Sequence, residues 1–140
     1  MFEILKKYKH CGHFDYCPEE DLKDVCNAPT DKSGIYLVWT TEEGADKLLN
    51  IGCSGKKEKG VIVHRKCGLG GLKGRLVEGH QFGKIQRRRI WPKKMKELGI
   101  AKLSIFWYDT EDDNPVEIEK KLLIKAISSI GTLPPWNNTL

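Results

Sequence analysis

The sequence predicts one small domain of the α/β or α+β class, in which strands and helices alternate along the chain. Three observations support this prediction. Short apolar runs rich in β-forming residues lie between turn residues, which is typical of strands. Segments with helical spacing follow them and stop at glycine. At 140 residues, with 39% hydrophobic and 31% charged residues, the chain has the composition of a globular domain with its own core.

The strands are predicted from these apolar runs. The first 32 residues are polar and irregular, and we expect an N-terminal extension with at most one short helix. The folded domain is then expected over residues 33–140. Within it, the run Ser-Gly-Ile-Tyr-Leu-Val-Trp-Thr at 33–40 predicts a first strand, and residues 47–53 predict the second arm of a hairpin. Residues 102–110, which include Ile, Phe, Trp and Tyr, predict a third strand.

A glycine- and lysine-rich segment follows the second predicted strand. It covers residues 54–71, and we expect it to form a long exposed loop. Leu72 and Leu76 are four residues apart, which predicts a short helix with one apolar face after this loop. Gly79 is well placed to end that helix, because glycine readily adopts the conformation that closes a helix.

Two further helices are predicted towards the C-terminus. Residues 91–98 form one of them, with Pro92 in its first turn, where a missing amide hydrogen costs nothing. The last helix is predicted over residues 115–129. Asn114 has the chemistry of an N-terminal cap, and Gly131 would end the helix.

The charge of the chain is concentrated in its middle. The net charge is +5, but residues 56–96 carry 14 Lys and Arg against Glu58 and Glu78 alone, a net charge of +12. The rest of the chain has 10 basic and 17 acidic residues, a net charge of −7. Lys and Arg bind polyanions by displacing counterions from phosphates, so a nucleic acid is the predicted partner. A solvated basic face is the alternative, although such faces usually mix both signs.

Other features argue against a membrane or secreted protein. No apolar run approaches the roughly 20 residues of a membrane span, and no apolar stretch follows the basic N-terminus as in a secretory signal. Five irregularly spaced cysteines favour reduced thiols over a disulfide framework. We therefore predict a cytoplasmic protein without a membrane partner, and the oligomeric state stays open.

Histidines and cysteines near the N-terminus offer another interpretation, a zinc-binding or protein-interaction module. Their spacing fits no common structural zinc site, and such a module would not explain the basic segment. The residues concerned are His10, Cys11, His13, Cys17 and Cys26.

The last predicted helix carries a carboxylate in the middle of its apolar face. At 100° per residue, Glu119 lies within about 80° of six apolar side chains, whereas Glu117 lies on the solvent side. A carboxylate on a buried stripe is costly unless it is paired or binds a metal. A salt bridge to an arginine and a metal site both remain open on this evidence. The six apolar residues are Val116, Leu122, Leu123, Ala126, Ile127 and Ile130.

Five short segments, taken in order, resemble the GIY-YIG nuclease family over residues 33–138. The chain departs from the family pattern at Asn50, where the second signature tyrosine is expected. An amide can orient water or phosphate, but it cannot act as a phenolate base. The segments are Gly34-Ile35-Tyr36, Asn50-Ile51-Gly52, Arg75 after Gly-Leu-Lys-Gly, Glu119 in Glu-Lys-Lys-Leu-Leu, and Asn137 after Pro-Pro-Trp.

The resemblance implies a small, mainly antiparallel three-stranded sheet flanked by helices. It also implies metal-dependent endonucleolytic hydrolysis of DNA at a single-metal site, with Mg²⁺ or Mn²⁺ and no small-molecule cofactor. Glu119 would hold the metal, Arg75 would face the scissile phosphate, and Tyr36 would position or deprotonate the attacking water. Some restriction-type members have a histidine four residues after this arginine. His80, five residues after it here, is therefore a candidate base or phosphate donor.

The same resemblance gives Asn137 a supporting role in holding the site together, together with Asn50. DNA contacts are predicted from the loop after the second strand and from a later basic run interleaved with aromatic residues. If Asn50 marks a lost function, the alternative is a catalytically weak or inactive DNA-binding module of the same fold. The predicted DNA-binding residues are Lys56, Lys57, Arg65, Lys66, Lys73, Lys84, Arg87, Arg88, Arg89 and Lys93.

Overall fold

The computed structural model describes residues 1–137, so the end of the predicted domain at residue 140 lies outside the described residues. The chain begins with a 3-10 helix over Glu3–Lys7. The elements that follow are β1 (Cys11–Tyr16), α1 (Leu22–Val25), β2 (Gly34–Glu42), β3 (Ala45–Ser54), β4 (Lys56–Glu58), β5 (Val61–Val63), α2 (Gly71–Glu78), α3 (Arg87–Leu98), β6 (Leu103–Asp109) and α4 (Pro115–Ile130).

Within residues 1–137, the main sheet has four antiparallel strands in the order β1-β6-β2-β3, and β4 and β5 form a separate hairpin. The α+β class is therefore as predicted, but the expected three-stranded sheet is wrong by one strand. The fourth strand is β1, which lies in the segment expected to hold at most one short helix. Its inward residues Phe14 and Tyr16 alternate with exposed polar ones, including His13 and Asp15. Because it carries no β-branched residue, the sequence signal for this strand is weak.

The β2–β3 hairpin confirms the first two predicted strands. Glu43 and Gly44 form its tip with φ of 52° and 79°, the backbone that a tight two-residue hairpin turn requires. The register places Tyr36 opposite Gly52, and a bulge at Leu49 shifts the pairing further along. Since β3 is the last strand in the sheet order, one side of this hairpin is a sheet edge.

Successive residues of β2 point to opposite faces of the sheet, and each face has its own apolar core. Tyr36 and Val38 pack with residues of α2 and α3 on one face. Ile35 and Leu37 pack with residues of α4 on the other face. The helices α2 and α4 therefore lie on opposite sides of the sheet.

The helix α2 has the predicted position and ends at Gly79. The helix α3 begins at Arg87, four residues before the predicted start, so Pro92 lies inside the helix and not in its first turn. The basic run at its start has good helix propensity but no apolar periodicity to reveal it. The predicted loop at 54–71 contains the β4–β5 hairpin, whose three-residue strands are too short to give an alternating pattern.

The helix α4 has the predicted boundaries to within one residue. Asn114 caps it by accepting a hydrogen bond of 3.2 Å from the backbone nitrogen of Val116. Val116 and Ile130, expected on the apolar face, are exposed because they lie in the first and last turns. Within residues 1–137, none of the helices has both the length and the apolar character needed to cross a membrane.

Candidate active site

Tyr36 lies in the centre of β2 and is only 1% exposed. Its ring extends over the neighbouring strand β3 at Gly52, its partner in the register. A Cβ atom at Gly52 would come within 2.3 Å of the tyrosine hydroxyl oxygen. Only glycine at this position therefore allows the hydroxyl to reach the edge of the sheet.

Arg87, at the start of α3, holds this hydroxyl from inside the protein. Its side chain is 3% exposed, and its Nη2 donates a hydrogen bond of 2.8 Å to the hydroxyl oxygen of Tyr36. Its Nη1 donates to the backbone oxygen of Arg75 at 2.7 Å, and its Nε donates to Oε1 of Gln81 at 3.3 Å. Arg87 was predicted to contact DNA with the exposed basic run, and its burial shows that it is not part of that surface.

Arg75 is half-buried on α2, beside the hydroxyl of Tyr36. The pKa of Arg75 is raised above its ordinary value, first by Tyr36 and then by Cys53 and Glu119, which outweigh the opposing effect of burial. Its Nε atom is buried and has no hydrogen-bond partner among the described residues. A buried donor without a partner is costly, so an acceptor from a bound molecule would satisfy it.

Glu119 is half-buried on α4, on the opposite side of the sheet from Arg75. Burial raises the pKa of Glu119, and the Cys53 thiol and the Arg75 charge partly offset this. Burial also raises the pKa of Cys53 to about 12, with the Glu119 carboxylate as the next cause. The side chains of Arg75, Cys53 and Glu119 are therefore neighbours at the edge of β3, next to the end of the second signature segment at Gly52.

Tyr36, Arg75 and Glu119 therefore converge at the edge of the sheet from a strand and from two helices on opposite faces. Glu117, two residues before Glu119, is exposed. Within residues 1–137, no group of three or more His, Cys, Asp or Glu side chains could hold a metal ion. A cation bound at Glu119 would have one protein carboxylate and would complete its shell with water and substrate oxygens, an arrangement that suits Mg²⁺.

Arginines make this region strongly positive. Burial lowers the pKa of Arg87, and the nearby charges of Arg75 and Arg65 lower it further. The Nε of Arg65 is also buried without a hydrogen-bond partner among the described residues. None of these three arginines forms an ion pair within residues 1–137. The region is thus suited to bind an anion.

The side chains of Asn50 and Asn137 hold the C-terminal segment against β3. The Oδ1 of Asn137 accepts hydrogen bonds from the backbone nitrogen of Ile51 at 2.9 Å and from Nδ2 of Asn50 at 3.2 Å. Its Nδ2 donates to the backbone oxygen of Ile51 at 2.8 Å. The side chain of Asn137 therefore bonds the backbone of β3 at Ile51 as a neighbouring strand would, and the buried Asn50 adds a third hydrogen bond to it. Asn50 faces this C-terminal segment.

His80 is exposed, and its backbone forms an isolated bridge with Gln86. Among residues 1–137, its imidazole takes part in none of the hydrogen bonds or charge interactions that link Tyr36, Arg75 and Glu119. Its role as a base or phosphate donor stays a prediction.

The other predicted DNA-binding residues lie at least partly on the surface. Two of them also have partners within the protein: Lys56 lies 2.9 Å from Glu58, and Nζ of Lys57 donates to the backbone oxygen of Asp112 at 2.8 Å. The exposed ones are Lys56, Lys57, Lys66, Lys84, Arg88, Arg89 and Lys93, and the half-buried ones are Arg65 and Lys73.

The histidines and cysteines near the N-terminus have separate surroundings. His13 stacks on Phe106, His10 contacts Asp109 at 3.1 Å, and Cys26 is buried in the core. The described part of the chain contains no zinc-like group formed by these residues.

Sequence reasoning missed Cys53 and assigned Arg87 to the exposed basic surface. Arg87 is one of three consecutive arginines in the sequence, and only the packing of α3 against the sheet shows that its side chain points inward. Cys53 could have been found from the strand alternation, since it is two residues after Ile51 and shares its face.

Comparisons with protein-family models, with curated proteins and with solved structures find no match for this chain.

Proposed function

We propose that this protein is a metal-dependent endonuclease of the GIY-YIG type, which hydrolyses phosphodiester bonds of DNA at a single-metal site. The observation that carries the proposal is the convergence of Tyr36, Arg75 and Glu119 at the edge of β3. Tyr36 and Arg75 were selected from the sequence by resemblance, and Glu119 was selected by resemblance and by its place on an apolar helix face. The first and last of the three are 83 residues apart in the chain. The basic segment at 56–96 supports a polyanionic substrate.

Glu119 is the residue that would hold the Mg²⁺ or Mn²⁺ ion. When bound, such an ion polarises a phosphate oxygen and stabilises negative charge in the transition state. The carboxylate suits this role because burial makes an unpaired charge costly at this position, and a cation removes that cost. Its neighbour Glu117 is exposed and has no comparable environment.

Arg75 would bind the scissile phosphate. Its Nε lacks a partner among the described residues, and the arginines around it have no paired carboxylates. A guanidinium fixed beside the reacting phosphorus stabilises the charge that develops on the phosphate oxygens, and such preorganised donors make large contributions to catalysis.

Tyr36 would orient the attacking water through its hydroxyl. Arg87 donates a hydrogen bond to one lone pair of the Tyr36 hydroxyl oxygen. The other lone pair and the hydroxyl hydrogen therefore point away from Arg87. Arg87 is a positioning residue in this proposal, because it acts on the water only through Tyr36.

A DNA-binding module with little or no catalytic activity is the second candidate. Asn50 favours it, because this side chain bonds the C-terminal segment and supplies no second phenol to the site. Both candidates require DNA binding, and only the nuclease requires Glu119 for a reaction.

Incubation of supercoiled plasmid with Mg²⁺ or Mn²⁺ separates the two candidates. We expect nicking or linearisation by the wild type, none in EDTA, and a loss of at least about 100-fold in Glu119→Gln. Glu117→Gln is the matched control on the same helix and should cut at the wild-type rate. Salt-sensitive binding without cleavage by the wild type would favour the inactive module.

A further inference from the structure

A short hairpin, formed by β4 and β5, begins directly beyond the candidate site. Only Gly55 separates it from β3, which ends at Ser54. Its tip consists of Lys59 and Gly60, with φ of 49° and 78°, a tight turn of the kind that joins two-stranded ribbons. The hairpin is thus a compact two-stranded ribbon at the edge where Tyr36 and Arg75 converge.

The hairpin is fixed to the rest of the protein on two sides. The backbone nitrogen of Lys57 donates to Oδ1 of Asn114 at 3.2 Å, and Nζ of Lys57 donates to the backbone oxygen of Asp112. Asn114 also caps α4, the helix that carries the candidate metal ligand. At the other end, Nδ1 of His64 lies 2.7 Å from Oγ of Ser33. The position of the hairpin relative to the site is therefore determined by the fold.

The outer face of the hairpin is apolar with a basic rim. Val61 is 64% exposed, the largest exposed fraction among the large hydrophobic side chains of residues 1–137, and Val63 is also exposed. The ribbon carries Lys56, Lys57 and Lys59 against Glu58, a net charge of +2, and Lys56 pairs with Glu58 at 2.9 Å. Val61 and Val63 are two residues apart in β5, so both lie on one face of the ribbon and form a small outward apolar patch.

We propose that this hairpin enters the major groove of duplex DNA bound at the site and makes base contacts there. This inference rests on the proposed nuclease function. The major groove of B-DNA is about 12 Å wide and admits a two-stranded ribbon. Apolar side chains such as Val61 and Val63 can contact the methyl group of thymine, and Lys59 can donate to a guanine edge or a phosphate.

A protein partner fits this surface less well. Two valines form a small apolar area compared with the roughly 1,000 Å² that a stable protein interface buries. Lysine is also depleted in such interfaces. The basic segment that begins at the hairpin is complementary to a polyanion, which favours DNA as the occupant.

Binding measured without cleavage tests the inference. All variants are made in the Glu119→Gln background and mixed with a pool of duplexes with a randomised centre, and the bound duplexes are sequenced. Val61→Ser should flatten the base preference at one or two positions and weaken binding to the preferred duplex by roughly tenfold, at an unchanged salt dependence. Val116→Ser, which changes an exposed valine on α4, is the control and should have no effect.

Lys59→Asn tests the charge at the tip. Asparagine tolerates the positive φ of this position, so the change removes the charge without backbone strain. If Lys59 contacts a phosphate, the slope of log affinity against log salt should fall by about one. If it contacts a base, the preference at that position should fall instead. Melting temperatures of all variants should match that of the parent protein, since both side chains are exposed.

Several results would overturn the inference. If Val61→Ser and Lys59→Asn both behave as Val116→Ser does, the hairpin makes no groove contact, although the nuclease proposal survives. Preferential binding of double-stranded RNA would also overturn it, because the major groove of RNA is too deep and narrow for a ribbon. If the Glu119→Gln protein binds no nucleic acid at all, both the inference and the proposed function fail.

Discussion

The Nη2 atom of Arg87 lies 2.8 Å from the hydroxyl oxygen of Tyr36, and both side chains are almost completely buried. Within residues 1–137, the guanidinium of Arg87 forms no ion pair. Its charge is compensated by hydrogen bonds to Tyr36, Gln81 and the backbone of Arg75. This hydrogen bond therefore connects a buried arginine of the core to the tyrosine that we propose orients the attacking water.

Arg87→Met should slow cleavage strongly and affect stability only moderately. Gln81 would still bond the indole of Trp91 at 2.7 Å, and the oxygen of Arg75 would still accept from the nitrogen of Gly79. Only the Tyr36 hydroxyl would lose its partner, which costs about 1–3 kcal/mol of unfolding free energy. We expect the cleavage rate to fall by roughly 100-fold, measured on supercoiled plasmid, with stability measured by urea unfolding.

A double-mutant cycle with Tyr36→Phe distinguishes positioning from general damage. If Arg87 acts through the hydroxyl, Arg87→Met should have little further effect on the cleavage rate in the Tyr36→Phe background. An equal loss of rate in both backgrounds would show that Arg87 acts by another route.

Glu119→Gln should leave the metal-free protein as stable as the wild type, or more stable. The pKa of Glu119 is raised by burial, so the wild-type side chain favours folding below its unfolded-state pKa and loses that contribution as pH rises through the folded-state pKa. In EDTA, the melting temperature of the wild type should therefore fall relative to the variant as the pH rises above the unfolded-state pKa of glutamate, about 4.3. A parallel pH dependence of the two proteins would refute this.

Gly52→Ala should disrupt the site by displacing the ring of Tyr36 or the strand β3. The added Cβ would lie 2.3 Å from the Tyr36 hydroxyl oxygen, and the ring is buried, so strand or ring must move. We expect a loss of about 1–3 kcal/mol in unfolding free energy together with loss of cleavage. Gly74→Ala on α2 is the control. Its Cβ would meet the side chain of Arg65 at 3.3 Å, and it should leave stability within about 1 kcal/mol.

Cys53 should react slowly with alkylating reagents. Burial raises its pKa to about 12, so only a small fraction is thiolate at pH 8, and the thiol is only partly accessible. Cys11 and Cys67 are exposed and should be modified at least about tenfold faster by iodoacetamide. Peptide mass spectrometry over time gives the three rates, and modification of Cys53 as fast as Cys67 would contradict the described surroundings.

The elements that could be predicted from the sequence are those with long, regular apolar patterns. The strands β2, β3 and β6 and the helices α2 and α4 follow from strand alternation and helical spacing. Glu119 was found in the same way, since a carboxylate on an apolar helix face departs from the pattern. The identity of Tyr36 and Arg75 as candidates required the family resemblance, because tyrosines in strands and surface arginines are common.

Other features depend on tertiary contacts that no local pattern contains. The strand β1 is held by its pairing with β6 and carries polar residues on its exposed face. Arg87 is buried because α3 packs against the sheet, although its neighbours Arg88 and Arg89 are exposed. The orientation of Asn50 depends on Asn137, which lies 87 residues away in the chain.

The central claim is that Tyr36, Arg75 and Glu119 act together in one reaction. The most direct test is the initial rate of Mg²⁺-dependent plasmid nicking by the wild type, by Tyr36→Phe, Arg75→Gln and Glu119→Gln, and by the triple variant. Residues that act as a unit are non-additive, so we expect each single variant to lose most of the activity and the triple variant to be no slower than the slowest single. A single variant that cuts at the wild-type rate would contradict the account.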